Sequence, residues 1–183
     1  LILMDTNTIK VLDKEFKPYI PQEEIESVIR NIANQINEDY KDKNPLFLFF
    51  LNGAFMFASQ LFKELTIDCE TSFVKYSSYE GTQSTCEVKE LIGLNSSLEG
   101  RDIVIVEDII DSGFTMNCLL QKLAALKVSS ARIATMLFKP NAFKFDYKID
   151  YIGMNIGNEF IVGYGLDYNE HGRNYGSIYK VVE

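Results

Sequence analysis

Three carboxylates follow an apolar run in the stretch VIVEDIIDSGFTM, residues 104–116. Glu107 and Asp108 come directly after the apolar residues, and Asp111 stands three positions further on. Adjacent like charges at the end of a buried strand repel each other unless a cation or the hydroxyl groups of a sugar share them. An acidic helix cap, with Asp111 or Ser112 as the N-cap residue, accounts for only one or two of the three acids. The pattern therefore indicates a site for sugar hydroxyls, a divalent cation or both.

The turn after Asp111 has the features of a phosphate-binding site. It offers consecutive backbone N–H groups at a predicted helix N-terminus, a glycine that lets a ligand approach closely, and two hydroxyl groups. The residues concerned are Ser112, Gly113, Phe114 and Thr115. The pattern GxxxxGK[ST] is absent, so hydrolysis of nucleoside triphosphates is not indicated. A ribose 5-phosphate laid across this turn would meet all of these groups.

A strand before these residues and a helix after them must position the site. The apolar run 103–106 predicts a strand buried on both faces. Helical spacing of apolar residues after the turn predicts a helix whose apolar face carries Met116, Leu119, Leu120, Leu123 and Leu126. In open α/β sheets, ligands bind outside the carboxyl ends of the strands, and the three acids lie at such an end.

The same alternation of strands and helices runs along the chain. Helical spacing over 25–36 predicts a helix that begins near Pro21, the run 46–51 predicts a buried strand, and 54–65 predicts a second helix. Further strands are predicted at TSFVKY, EVKELIGL, ARIATMLFKP, DYIGMNI and FIVGYGLD. We expect a single domain over residues 1–183, of the α/β class, with a mostly parallel sheet flanked by helices and extra pieces at its edge.

Composition narrows the class of protein further. The 183 residues are 46% hydrophobic and 24% charged, which is ordinary for a soluble globular domain. A net charge of −8 with only four arginines disfavours a nucleic-acid-binding surface, which needs clustered basic residues. Three cysteines without a CxxC spacing suggest neither a disulfide framework nor a zinc site. A single histidine, His171, cannot build a histidine-based metal site.

The sequence predicts neither a membrane span nor a signal peptide. The apolar stretch 45–62 is interrupted by polar residues, falls short of about 20 apolar residues and lacks basic flanks. The N-terminal LILM is too short and uncharged for a signal peptide. We therefore expect a cytoplasmic protein that binds neither membranes nor nucleic acid.

The stretch 104–116 resembles the phosphoribosyl-pyrophosphate (PRPP) binding motif of the type I phosphoribosyltransferases. More closely, the chain is similar to the hypoxanthine (hypoxanthine-guanine) phosphoribosyltransferases. Four further segments carry this resemblance in the family's order: LNGAFMF, SSYEGTQST, LFK at 137–139, and NEFIVGYGLDYNEHGR at 158–173. The likeness spans nearly the whole chain and is weakest before Pro45.

The resemblance implies the type I phosphoribosyltransferase fold, with a small hood region and a mobile active-site loop. It implies transfer of 5-phosphoribose from PRPP to N9 of hypoxanthine, giving IMP and pyrophosphate in purine salvage, with Mg²⁺ required. Guanine is a further expected substrate. A homodimer or homotetramer is expected from the same resemblance.

The resemblance also implies roles for the residues of the first motif. Glu107 and Asp108 would bind the ribose hydroxyls or a magnesium ion, and residues 112–115 would hold the 5-phosphate. Asp111 would take the proton of the purine five-membered ring as a general base. An aspartate near a pKa of about 3.9 is a weak base, so Asp111 as an electrostatic stabiliser stays open.

The later segments would bind the purine, a second metal ion and pyrophosphate. Lys139 would donate to the exocyclic oxygen of a 6-oxopurine, although the pattern alone indicates a strand-end lysine. Phe160 would stack on the base, although the pattern alone indicates a core residue. By the same resemblance, Ile109 would belong to the purine site, and Ile161 would contact the base edge through its backbone. Asp167 would bind the second magnesium ion, and Arg173 would bind the pyrophosphate.

Two loops complete the implied site. Leu51, Asn52 and Gly53 match the family's pyrophosphate loop, whose strained backbone turns N–H groups toward the leaving group. Residues 77–85, with Ser78 and Tyr79, match the mobile loop that excludes water from a cationic sugar carbon. An exposed hairpin loop is the alternative interpretation of residues 77–85.

Two positions depart from the family's pattern. Asn52 stands where the pyrophosphate loop commonly carries a lysine, and Phe114 occupies a position that is often basic. Two alternative functions remain open at this point. One is a phosphoribosyltransferase for another base, and the other is a nucleotide-sensing regulatory protein on the same fold.

Overall fold

A six-stranded sheet forms the centre of the protein in this computed structural model, which describes residues 7–77, 89–92 and 97–182. The helices and strands, in chain order, are β1 (Ile9–Val11), β2 (Lys14–Ile20), α1 (Gln22–Asp39), β3 (Leu46–Phe50), α2 (Phe55–Glu64), β4 (Glu70–Ser77), β5 (Lys89–Ile92), β6 (Asp102–Ile110), α3 (Phe114–Ala125), β7 (Ser130–Phe138), β8 (Tyr151–Asn155), β9 (Ile161–Val162) and β10 (Ile178–Val181).

The central sheet has the strand order β5-β4-β3-β6-β7-β8. Strands β4, β3, β6, β7 and β8 are parallel, and β5 pairs antiparallel with β4 at one edge. The mostly parallel α/β sheet expected from the sequence is therefore confirmed. Because β3, β6 and β7 are parallel neighbours, their carboxyl ends meet at one edge of the sheet.

Helices cover both faces of this sheet. Residues of α1 and α2 pack with Phe47 and Phe49 of β3 on one face, and residues of α3 pack with Leu46, Leu48 and Phe50 on the other. All five residues of β3 are buried. A strand covered on both faces reads as a continuous apolar run, which is why β3 and β6 were predictable.

A second, smaller sheet is antiparallel, with the order β1-β2-β10-β9, and we call it the hood. Strand β10 pairs with β2 through Tyr179 and Pro18, so the hood joins the two ends of the described chain. The sequence predicted extra pieces at the sheet edge but not β1, β2 or β10. Its core contains Phe16, Val162 and Tyr179.

Several local expectations are corrected by the structure. Strand β6 continues to Ile110, so Glu107 and Asp108 lie within the strand rather than at its last positions. Helix α3 is capped by Gly113, without a side-chain cap, so the proposal of Asp111 or Ser112 as N-cap residue is wrong. Leu126 lies beyond the end of α3 and is 41% exposed, so it does not belong to the buried face.

Cysteine pairing and membrane topology complete the comparison. Cys118 is disulfide-bonded, contrary to the expectation from the cysteine spacing, and Cys69 is a free thiol. None of the helices in the described parts of the chain is long and apolar enough to cross a bilayer.

Candidate active site

A cleft lies at the edge where the strands β3 and β6 end and α3 begins. Its lining comes from the end of β3, the second half of β6 and the turn into α3: Phe50, Leu51, Glu107, Ile109, Ile110, Asp111, Ser112, Gly113, Phe114, Thr115 and Met116. The structure therefore brings Glu107, Asp111 and the turn of the first motif into one cleft, whereas Asp108 lies against Gly53 and is not part of the lining. This is the position at which open α/β sheets bind ligands.

The turn into α3 is built around Gly113. Its φ of 82° lies in the left-handed region, and a Cβ atom would come within 2.5 Å of Phe143 and 2.6 Å of the Tyr147 hydroxyl. The Tyr147 hydroxyl donates a hydrogen bond of 2.9 Å to the Gly113 carbonyl oxygen. The turn is thus held from outside while the first N–H groups of α3 face the cleft without intrahelical partners. Such a turn can bind a phosphate through its main chain.

Glu107 and Asp108 form a close acidic pair on β6, of which Glu107 lines the cleft and Asp108 contacts Gly53. Burial raises the pKa of Glu107 well above its usual range, and the neighbouring Asp108 raises it further. Burial also raises the pKa of Asp108, which is only 6% exposed. Two carboxyl groups that are buried side by side favour sharing a proton or a cation over carrying two charges.

This acidic pair has the donor chemistry that magnesium prefers, namely carboxylate oxygens. Among the described residues, no group of three His, Cys, Asp or Glu side chains is arranged to hold a metal ion by itself. Mg²⁺ commonly keeps several waters and uses one or two carboxylates together with substrate phosphates. The donor chemistry of Glu107 and Asp108 therefore fits a magnesium ion, which these two residues would hold.

Gly53 brings the loop after β3 into direct contact with Asp108. A Cβ atom at Gly53 would lie 1.9 Å from Asp108 Oδ2, so only glycine fits at this position. A Cβ atom at Gly165 would in turn lie 2.1 Å from the Gly53 carbonyl oxygen, and Gly165 has a φ of 95°. The peptide bond between Leu51 and Asn52 is cis. Gly53 and Gly165 thus allow the loop after β3 to contact both Asp108 of β6 and the segment after β9.

Asp111 and Lys139 meet just after the ends of the neighbouring strands β6 and β7. Lys139 Nζ lies 3.2 Å from Asp111 Oδ2, and the Lys139 backbone N–H donates to the Ile110 carbonyl oxygen at 3.0 Å. Lys139 is only 8% exposed, which argues against a solvated strand-end lysine. The Asp111 side chain is 57% exposed and so remains accessible to a ligand.

Arg173 organises the segment between β9 and β10. Its guanidinium donates to the Gly165 carbonyl oxygen at 2.8 Å and pairs with Asp167 and Glu170, each at 2.8 Å. The Glu170 N–H donates to Asp167 Oδ2, also at 2.8 Å. Arg173 is therefore not a solvated surface charge: it fixes the loop that carries Asp167 and Gly165, and Gly165 approaches the Gly53 carbonyl oxygen.

Phe160 presents its ring at the surface of the hood. It is 43% exposed, and its contacts are a tilted neighbour, Phe16 at 6.1 Å, and an edge-to-face neighbour, Tyr168 at 5.6 Å. The expectation of a core position from the sequence pattern is therefore wrong. An exposed ring held by two aromatic neighbours can stack on a planar ligand. Ile161, the next residue, is buried in β9.

Residues 20–169 match the family model described as the phosphoribosyl transferase domain. The chain belongs to this phosphoribosyltransferase family. Its central parallel sheet with a small antiparallel hood is the type I phosphoribosyltransferase fold, as the sequence resemblance implied.

Individual members of the phosphoribosyltransferase family are similar to this chain over most of its length. The hypoxanthine-guanine phosphoribosyltransferase of Bacillus subtilis is 41% identical over 159 residues, which is 86% of this chain and 88% of that protein. A crystal structure of a hypoxanthine-guanine phosphoribosyltransferase from Bacillus anthracis superimposes with a TM-score of 0.86 at 34% identity, over 91% of this chain and 98% of that one. The hypoxanthine phosphoribosyltransferase of Staphylococcus aureus gives a TM-score of 0.86 at 37% identity, over 91% of each chain.

Some phosphoribosyltransferase relatives are much longer proteins. The bifunctional protein TilS/HprT of Listeria monocytogenes is 40% identical over 159 residues, which is 86% of this chain but only 24% of that protein. The chain therefore spans about a quarter of the length of these bifunctional relatives.

The structure locates most of the residues that the phosphoribosyltransferase resemblance singled out. Those of the first motif lie in or beside the cleft, Gly53 touches Asp108, and Asp167 pairs with Arg173. Ser78 and Tyr79 lie outside the described residues. The roles assigned to these side chains remain predictions.

Four residues near the site were missed by the sequence analysis: Lys75, Tyr147, Gly165 and Glu170. Tyr147 and Gly165 act through contacts between distant segments, which spacing along the chain does not reveal. Glu170 lies in the matched segment 158–173, so its acidic side chain beside Arg173 could have been recognised. Lys75 lies on a predicted strand and donates a hydrogen bond to Asn52. This partner could be found only from the strand order.

Proposed function

We propose that the protein transfers 5-phosphoribose from PRPP to N9 of hypoxanthine, giving IMP and pyrophosphate, in a magnesium-dependent reaction of purine salvage. Guanine is the second substrate, giving GMP. The contact between Asp111 and Lys139 beside the phosphate turn carries this proposal. A carboxylate and an ammonium beside the turn support the binding of a 6-oxopurine whose ribose phosphate occupies the turn.

The phosphate turn would hold PRPP at its 5-phosphate. Main-chain N–H groups of the first turn of α3, with the hydroxyls of Ser112 and Thr115, supply the donors. Phe114 adds no positive charge, so binding depends on these donors and on the partial positive charge of the helix N-terminus. The acidic pair beneath the turn would accept hydrogen bonds from the ribose hydroxyls.

Asp111 and Lys139 would together recognise the base. Lys139 donates to the exocyclic oxygen of hypoxanthine or guanine, whereas the amino group of adenine offers no acceptor there. Asp111 accepts the proton of N7 as N9 attacks the anomeric carbon, and the C1–O bond to pyrophosphate breaks. Lys139 Nζ lies 3.2 Å from Asp111 Oδ2, so the lysine orients the carboxylate that would accept this proton.

Phe160 and Arg173 would position the other substrate parts. The exposed ring of Phe160 stacks on the purine, and Ile161 contacts the base edge through its backbone, as does Ile109 from β6. Arg173 holds the loop of Asp167 and presents a guanidinium near the pyrophosphate loop, residues 51–53. Ser78 and Tyr79 would cover the site and exclude water from the cationic sugar carbon.

Glu107, Asp108 and Asp167 would hold magnesium. A bound ion would neutralise part of the negative charge of the pyrophosphate leaving group. The carboxylate donors, and the pKa values of Glu107 and Asp108 that burial raises, support this assignment. We also propose that the enzyme acts in the cytoplasm as a homodimer or homotetramer.

An ultraviolet assay of nucleotide formation tests the function. PRPP and Mg²⁺ are supplied with hypoxanthine, guanine, xanthine, adenine or orotate in separate reactions, each with and without EDTA. We expect IMP and GMP formation that EDTA abolishes, and no product from adenine or orotate. Rapid turnover of orotate or adenine would mean a phosphoribosyltransferase for another base. PRPP binding without turnover of any base would favour a nucleotide sensor instead.

A further inference from the structure

The pyrophosphate loop receives a positive charge from a neighbouring strand. Lys75 lies on β4, one residue after Val74, which pairs with Phe50 at the end of β3. Its ammonium donates a hydrogen bond of 3.1 Å to Asn52 Oδ1, and both side chains are partly buried. Asn52 itself is neutral, but the Lys75 ammonium lies at hydrogen-bond distance from its side chain.

Asn52 also connects Lys75 to the loop of Arg173. Glu170 pairs with Arg173 at 2.8 Å, and both Lys75 and Asn52 interact with the Glu170 carboxylate. Lys75, Asn52, Glu170 and Arg173 therefore form one polar network. This network runs along the side of the site formed by the pyrophosphate loop.

A polyanionic ligand beside the pyrophosphate loop needs a positive charge that is not already paired with carboxylates. Arg173 is already shared between two carboxylates, Asp167 and Glu170, and a carbonyl oxygen. The nearby strand β6 carries the acidic pair Glu107 and Asp108. Within the described part of the chain, Lys75 donates to a neutral partner and forms no ion pair within 4 Å. Its charge acts on Glu170 only at longer range, so its ammonium is open to an anion.

We propose that Lys75 is a pyrophosphate-binding residue, which supplies from β4 the positive charge that Asn52 does not provide. This inference rests on the proposed function. Lysine binds phosphate as a point charge with several N–H donors, so it can keep its bond to Asn52 while donating to a pyrophosphate oxygen. Asn52 then serves to position the ammonium.

A purely structural role for Lys75 is the competing explanation. In that case the hydrogen bond to Asn52 would matter, and the charge would not. Lys75→Gln keeps an N–H donor and removes the charge, whereas Lys75→Arg keeps the charge. Lys75→Met removes both. In the double variant Lys75→Met with Asn52→Lys, the charge moves from the strand to the loop.

The reverse reaction, from IMP and pyrophosphate to PRPP and hypoxanthine, separates the two explanations because each substrate has its own KM. Losing a charge-assisted hydrogen bond of ~1.5–3 kcal/mol corresponds to a rise of about tenfold or more in the KM of pyrophosphate. We expect this rise in Lys75→Met and Lys75→Gln, a near-normal value in Lys75→Arg, and recovery in the double variant. The KM of IMP should change less than about twofold, within the scatter of surface substitutions.

Lys63→Met is the matched control, since Lys63 is exposed in the last turn of α2. It should leave both KM values unchanged. A normal pyrophosphate KM in Lys75→Gln would overturn the proposal, and so would equal rises for IMP and pyrophosphate. If Lys75→Met fails to fold, the comparison of Lys75→Arg with Lys75→Gln decides in the same way.

The failure of the proposed function can be distinguished from the failure of this inference. If the unsubstituted protein forms no IMP from PRPP and hypoxanthine, the function fails whatever Lys75 does. Calorimetric binding of magnesium pyrophosphate to the unsubstituted protein, Lys75→Gln and Lys63→Met then tests Lys75 alone. Weaker binding in Lys75→Gln only would support the inference, and equal binding in all three would overturn it.

Discussion

The ammonium of Lys139 lies 3.2 Å from the carboxylate of Asp111, so the end of β7 is joined to the end of β6 at the edge of the cleft. The two residues are 28 positions apart in the chain. Parallel pairing of β6 with β7 brings them together, with Ile110 opposite Phe138 just before both. The two side chains therefore form an ion pair between the ends of neighbouring strands.

Replacing Asp111 with Asn should lower turnover far more than it weakens PRPP binding. The substitution removes the proton acceptor but keeps the shape of the side chain and leaves the phosphate turn intact. A general base contributes about 10²–10⁴-fold to a rate, so we expect a loss of kcat in that range. Steady-state kinetics with PRPP and hypoxanthine measure it, and Asp68→Asn, at an exposed position, is the control. Unchanged kcat would remove the role assigned to Asp111.

Replacing Lys139 with Gln should raise the KM of hypoxanthine by about tenfold or more, because a buried charged donor to the exocyclic oxygen is lost. The KM of PRPP should change little. Since Lys139 also pairs with Asp111, the two substitutions should not be additive, and a double-mutant cycle should show a coupling of roughly 0.5–3 kcal/mol. Additive effects on kcat/KM would mean that the ion pair is unimportant for the reaction.

The central sheet was predictable because burial on both faces leaves a direct record in the sequence. Strand β3 shows five consecutive apolar residues, and all are buried. The hood strand β2 shows no comparable record: it contains Lys14, Lys17 and Pro18, and its partner β10 lies about 160 positions later. Pairing between such distant, mixed segments is decided by the tertiary fold.

The candidate site was predictable where its residues are adjacent in sequence and not where they meet in space. The acids and the turn of β6 were found from one motif. The contact of Gly53 with Asp108 and the bond from Lys75 to Asn52 depend on strand order, which spacing does not give. Phe160 was misjudged from the pattern because an exposed aromatic residue and a core aromatic residue look alike in sequence.

Replacing Gly53 with Ala should disable the site, because the added Cβ atom would lie 1.9 Å from Asp108 Oδ2. Either the Asp108 carboxyl or the pyrophosphate loop must move, and overpacking of this kind costs about 1–3 kcal/mol. We expect weaker PRPP binding, measured by calorimetry, and a lower melting temperature. Gly100→Ala is the control: nothing lies within 4 Å of its Cβ position, so only its φ of 72° opposes the change. It should cost some stability and leave PRPP binding intact. Equal loss of binding in both variants would contradict the assigned contact.

Replacing Asp39 with Asn should destabilise the protein at neutral pH but not in acid. The Tyr151 hydroxyl donates to Asp39 Oδ2 at 2.7 Å, and Arg132 pairs with the same oxygen. The hydrogen bond from Tyr151, followed by the charge of Arg132, lowers the pKa of Asp39. A carboxyl whose pKa is lower in the folded state stabilises the fold above its unfolded pKa of about 3.9, and this contribution is lost as pH falls through the folded pKa.

We therefore expect the free energy of unfolding of Asp39→Asn to be lower by about 0.5–1.5 kcal/mol at pH 7, toward the smaller value because the Asp39 carboxylate is partly exposed. Urea unfolding at a series of pH values should show the gap closing once the pH falls below the folded pKa of Asp39. Asp42→Asn is the control, since Asp42 is exposed just after α1. A gap that stays constant from pH 7 into acid would mean that Asp39 stabilises the fold through packing, without its charge.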